Sequence, residues 1–105
     1  MVKARFQVGQ LIEHNLFGYR GVVVGIDPIF NHSDSWYESV AKSRPPKDKP
    51  WYHVLVDESD YVTYVAERNL RPSLDPRQVD HPLLGQYFNR FDGHRYLPLE
   101  HKPLH

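Results

Sequence analysis

The 105-residue sequence predicts a mainly β fold: a small antiparallel barrel with a short helix in a long insertion and an irregular C-terminal tail. Three observations predict it. Short β-branched or aromatic runs recur at close spacing. Glycines sit inside or beside them, where a small barrel bends its strands. Nine prolines fall largely outside these runs, marking extended connections.

The elements follow in order. Residues 6–30 read as two strands: a first around Val8, Leu11, Ile12 and Leu16, then Phe17–Pro28, the clearest in the chain. The second is rich in valine, carries Gly18, Gly21 and Gly25, and is stopped by Asp27-Pro28. Residues 29–50 form an insertion. Asn31 to Ser35 make a turn-rich entry. Ser35, with Glu38 three residues on, is placed to cap a helix from Trp36 to about Lys42. Arg44-Pro45-Pro46 ends that helix, and Lys47 to Pro50 continue extended. Trp51–Val56 and Tyr61–Val65 are strands joined by the polar loop Asp57–Asp60, hence a hairpin. Ala66–Leu70 suggests one helical or 3₁₀ turn, closed by Arg71-Pro72. From Ser73 the periodicity fades and prolines recur. The expectation there is a linker, a short amphipathic piece around Leu83–Phe91, and an aromatic-flanked turn at Phe91–Tyr96 that folds back on the body. The chain thus divides into a barrel over 1–72 (insertion 29–50) and an extension over 73–105.

Composition restricts function. Hydrophobic residues make up 40% and charged residues 25%, in the globular range. There are no cysteines, which excludes disulfides, thiolate metal sites and a cysteine nucleophile. Lysine plus arginine equal aspartate plus glutamate at 13 each, so any nucleic-acid site must be a local patch rather than a global basic field. No apolar run is long enough to span a bilayer or open the chain as a signal peptide, so the expected location is cytoplasmic, with no membrane partner.

Chemistry-bearing patterns are scarce. Seven histidines are scattered without H-x-H or H-E-x-x-H spacing, so no metal or other cofactor is expected. His53 reads as a packed or hydrogen-bonded strand residue, His14 as a surface one, and His94, His101 and His105 as solvated. No serine lies in a nucleophile elbow, and Gly18-Tyr19-Arg20-Gly21 opens a strand rather than a phosphate-binding helix. The reading is a non-catalytic protein. Binding candidates are Trp36 and Tyr37, either a lid packed on the barrel or a partner surface, and the basic Arg20, Arg44, Lys47 and Lys49. These cations would form a patch if the insertion folded over the strand bearing Arg20; otherwise they belong to a mixed solvated surface. Trp51 and His53 share one face of their strand, Tyr52 and Val54 the other.

Three segments carry a resemblance. They are Phe6-x-Val8-Gly9-Gln10, then His14-x-x-Phe17-Gly18-Tyr19-Arg20-Gly21-Val22-Val23 with Asp27-Pro28-x-Phe30, and Pro50–Val56 followed by Tyr64–Leu70. In order and spacing over residues 5–72 they resemble the HspQ/YccV-like heat-shock family, known for hemimethylated-DNA binding. The insertion and the tail resemble its alphaproteobacterial branch. The resemblance implies an SH3-like five-stranded barrel, a cytoplasmic protein, and a homo-oligomer, by that resemblance a trimer. It implies two activities: an accessory role in degrading client proteins by an ATP-dependent, Lon-like protease, and binding to hemimethylated double-stranded DNA. It supplies no catalytic residues. Zero net charge and exposed aromatics favour the first activity. The end of the tail, Glu100–His105, is a candidate degradation signal.

Overall fold

The computed structural model describes residues 3–99. The proposed degradation signal, with His101 and His105, lies outside them. A single five-stranded antiparallel sheet organises the chain, with β1 Leu11–His14, β2 Arg20–Asp27, β3 Trp51–Val56, β4 Val62–Ala66 and β5 Leu70–Pro72. Its order is β4-β3-β2-β1-β5. The expected hairpin holds, with Leu55 opposite Val62 and the four residues Asp57–Asp60 turning between. The fifth strand comes from the segment read as the end of a turn. A 3₁₀ turn, Glu67–Asn69, carries the chain from β4 to β5, which pairs with β1.

No ladder joins β4 to β5 among the described residues, so in its hydrogen bonding the sheet is open rather than a closed barrel. One face of every strand nevertheless reaches a common core of Phe6, Ile12, Val23, Tyr52, Val54, Val65 and Leu70. Period-two alternation produces this set: Tyr52 and Val54 point inward while Trp51, His53 and Leu55 point the other way. Tyr52 ties the core to the N-terminal segment. Its hydroxyl accepts from the backbone N–H of Arg5 and Phe6 and donates to Glu67 at 2.5 Å. Burial, then the neighbouring carboxylate, push the phenol up to about 12.

Two further clusters cover the outer face. Toward one end, Leu11, Val22 and Leu55 are capped by Val79, Phe88 and Tyr96 from the C-terminal extension. The extension is more regular than its composition suggests. A helical turn, α2 Leu84–Tyr87, leads into a hairpin of β6 Phe88–Phe91 and β7 Tyr96–Pro98. The aromatic-flanked turn does fold back: Tyr96 donates its N–H to the Gly9 carbonyl at 2.8 Å, and its hydroxyl bonds Val79. Gly9 is needed at this crossing. It has φ +92°, and a Cβ there would lie 2.0 Å from the Tyr96 carbonyl oxygen.

Toward the other end, the insertion packs on Trp51, Tyr64 and Ala66. Its helix, α1 Asp34–Val40, starts two residues earlier than a cap at Ser35 would place it. Ser33 is the cap, accepting from the Trp36 N–H at 3.1 Å, while Ser35 lies within the first turn. Both serines satisfy the capping preference; with Ser33 as the cap, Tyr37 is the buried residue of the helix.

Candidate binding cleft

The insertion brings four aromatic rings onto the outer face of β3 and β4. Phe30, just past the Asp27-Pro28 stop, is the hub: its centroid lies 4.9 Å from Trp51, 5.4 Å from Tyr37, 6.0 Å from Trp36 and 6.1 Å from Tyr64. His32, just before the Ser33 cap, stacks on Trp36 at 4.7 Å. Trp51 is buried and donates its indole N–H to the Pro46 carbonyl at 3.0 Å. Tyr37 is buried too, and donates its hydroxyl to Pro45 at 2.7 Å.

A polar triad adjoins these rings. Tyr64 donates its hydroxyl to Asp27 Oδ2 at 2.6 Å, and His53 Nε2 lies 3.2 Å from the same oxygen. The backbone N–H of Asn31 donates to the Tyr64 oxygen at 2.9 Å, so the phenol ties the insertion to the sheet. Burial and the adjoining Asp27 carboxylate push the Tyr64 pKa well up, which keeps it a donor.

Beyond the rings runs a cleft of about 840 Å³. The insertion, with Trp36, Val40 and Lys42, forms one wall. The β1–β2 loop, with Leu16 and Phe17, forms the other. All five residues of β4 line it. Phe17 is 78% exposed and Leu16 60%, so both belong to a loop rather than to the long strands the sequence suggested. His14 sets that loop. It is buried rather than on the surface, and its Nδ1 accepts from the N–H groups of both Leu16 and Phe17 at 3.1 Å. Burial lowers its pKa, favouring the neutral, accepting ring. His14, His32 and His53 all line the cleft, yet among the described residues no group of three or more metal-ligating side chains converges. No aspartate or glutamate lines it either.

The binding candidates from sequence divide accordingly. Trp36 lines the cleft, whereas Tyr37 lies beneath the helix as structure. Lys47 sits 4.3 Å from the Tyr37 ring centre and pairs with Asp34 at 3.2 Å. Arg44, at φ 52°, pairs with Glu38 at 2.9 Å. Lys49 borders a separate depression of about 260 Å³ with Arg5 and Arg68. Arg20 does not join them. It opens β2, whereas the insertion follows the other end of that strand, more than about 20 Å further on. Its guanidinium pairs with Asp57 at 2.7 Å, both side chains largely buried, and donates to the Asp75 and Arg77 carbonyls. The basic residues therefore form no single patch with Arg20. Sequence reasoning passed over Phe30, Asp27, His14 and the β1–β2 loop as parts of a site.

These features define a class: a small, mainly β domain that presents an aromatic-walled cleft along one edge of its sheet. Residues 4–95 match the family described as "Hemimethylated DNA-binding protein YccV like", and the chain belongs to that family. The match extends beyond residue 72 into the extension that folds over the sheet. Curated relatives include F-box only protein 21 of Homo sapiens, Mus musculus and Pongo abelii. Each is 30% identical over 95 residues, covering 89% of this chain but 15% of the relative. The chain thus corresponds to one part of those longer proteins. Among the described residues no helix is long and apolar enough to cross a membrane.

Proposed function

We propose that this domain is a non-catalytic protein-binding factor that selects client proteins for an ATP-dependent, Lon-like protease in the cytoplasm. The observation that carries the reading is the cleft itself: apolar and aromatic walls, exposed Phe17 and Val40 at its rim, and no acidic side chain in its lining. Protein interfaces draw their affinity from such apolar anchors more than from a charge field. Curling of the sheet about one core, with a single 3₁₀ turn between β4 and β5, supports the SH3-like barrel as its architecture. The test is degradation of purified full-length candidate clients by a Lon-type protease, with and without the domain. The domain is expected to accelerate degradation of some clients, and Phe17→Ala to lose the effect. If no client's rate responds, the reading fails.

The family's description supports a second reading, binding to hemimethylated duplex DNA. It ranks lower because three of the four candidate phosphate contacts are paired with carboxylates: Arg20 with Asp57, Arg44 with Glu38 and Lys47 with Asp34. Anisotropy titrations with hemimethylated, fully methylated and unmethylated duplexes at two salt concentrations test it. A methylation preference that survives the higher salt would promote it above protein binding. Weak binding that vanishes with salt would leave only incidental electrostatics.

A further inference from the structure

Strand β4 lies at the edge of the sheet, with β3 on one side and no strand on the other among the described residues. Its hydrogen-bonding phase is set at both ends. Val56 donates its N–H to the Tyr61 carbonyl at 3.1 Å, and Glu67 donates to the Pro50 carbonyl at 3.1 Å. In an antiparallel ladder the bonded pairs alternate, so Thr63 and Val65 turn their backbone groups toward β3. Val62 and Tyr64 therefore turn theirs away from it, toward the cleft that all of β4 lines. Exposed edges of this kind are usually shielded by charge, proline or a bulge. Here Val62 is 49% exposed, and apolar walls stand on both sides.

We infer that β4 is a docking edge on which an extended segment of another polypeptide adds as a sixth strand, carrying apolar side chains at alternate positions and an acidic residue. This deepens the protein-binding reading and rests on it. Three observations select the occupant. Outward N–H and C=O groups two residues apart match an extended peptide backbone. Exposed Phe17 and Val40 border the recess, so apolar side chains at alternate positions of an added strand have apolar surface to meet. The lining holds the cation of Lys42 and no carboxylate, and Asp27 beside it is already engaged by Tyr64 and His53, so a negative residue is complemented.

The test uses the full chain and a phage-displayed library of random twelve-residue peptides, followed by synthesis of the selected sequences. Selected peptides are expected to alternate apolar residues and to include an acid. On adding a saturating peptide, NMR amide exchange should slow at Val62 and Tyr64, while Thr63 and Val65 are already slow in the free protein. Val62→Pro deletes one outward donor at the start of an edge strand, where proline is tolerated. It should weaken binding about five- to tenfold, as loss of one backbone bond predicts, with Val62→Ala close to the parent. Amide exchange on the unaltered chain decides the matter should the proline variant fail to fold. Peptides that bind without slowing Val62 and Tyr64, or that are basic, overturn the docking edge but leave protein binding standing. A library that yields no binder overturns both. Slowing of these amides with protein concentration alone makes a second copy the occupant and overturns the inference.

Discussion

Replacing Phe30 with alanine should uncouple the insertion from the sheet. The ring meets Trp36, Tyr37, Trp51 and Tyr64 at centroid separations of 4.9–6.1 Å. Aromatic pairs contribute about 0.5–1.5 kcal/mol each, so four of them set a ceiling of about 6 kcal/mol. Phe30 is only partly buried, and its neighbours relax into part of the gap. The expected loss is therefore about 2–3 kcal/mol, below the roughly 3–5 kcal/mol of a fully buried phenylalanine. Urea unfolding followed by tryptophan fluorescence reads this directly, because both tryptophans lie in the cluster. With a slope of about 1–3 kcal/mol per molar, the midpoint should fall by about 1–2 M. Leu74→Ala, at a residue 95% exposed, should leave it unchanged. A Phe30→Ala midpoint within about 0.3 M of the parent would refute the hub role, since that shift corresponds to less than one aromatic pair.

Three other perturbations follow from the same contacts. Arg20→Ala strands Asp57 and two backbone carbonyls beneath the extension, and should cost about 3 kcal/mol in denaturant unfolding, as for a buried pair broken on one side; an unchanged midpoint would return Arg20 to the pool of free cations. Gly9→Ala cannot coexist with the Tyr96 carbonyl at its present position, so amide exchange at Tyr96 should accelerate and the thermal midpoint should drop by about 10 °C or more, from roughly 2 kcal/mol of lost bonding and left-handed strain. Tyr52 titrates near 12 in the fold against about 10 unfolded, so its contribution is complete below pH 10 and disappears as pH rises from about 10 to 12; Tyr52→Phe should flatten that alkaline limb of the stability profile.

Much of the sheet was legible because alternation and turn chemistry are local signals. Trp51–Val56 separates its two faces in the sequence itself, and Asp57–Asp60 can only be a loop between two β-branched runs. The fifth strand was not legible, since Leu70-Arg71-Pro72 is three residues long and gains its ladder only from distant β1. The regular C-terminal hairpin escaped for a similar reason. Proline-rich spacing around Phe88 and Tyr96 masks it, and its stability comes from Leu11, Val22 and Leu55 beneath. In the cleft, Trp36 was visible as an aromatic on an insertion, where burial is not compelled. Arg20 looked equally free, but its partners Asp57, Asp75 and Arg77 arrive from other parts of the chain. His14 looked like a surface residue because its partners are backbone N–H groups that exist only once the β1–β2 loop has formed.

The claim that the aromatic cleft, rather than the basic residues, is the interaction surface is tested most directly by paired NMR titrations of the full chain. One adds a library-selected peptide, the other a hemimethylated duplex at physiological salt. The account predicts that the peptide shifts the Trp36 indole N–H and the Val62–Tyr64 amides, while the duplex leaves the spectrum unchanged. A duplex that shifts Arg44, Lys47 and Lys49 with a preference for hemimethylation, beside a peptide that shifts nothing in the cleft, would contradict it.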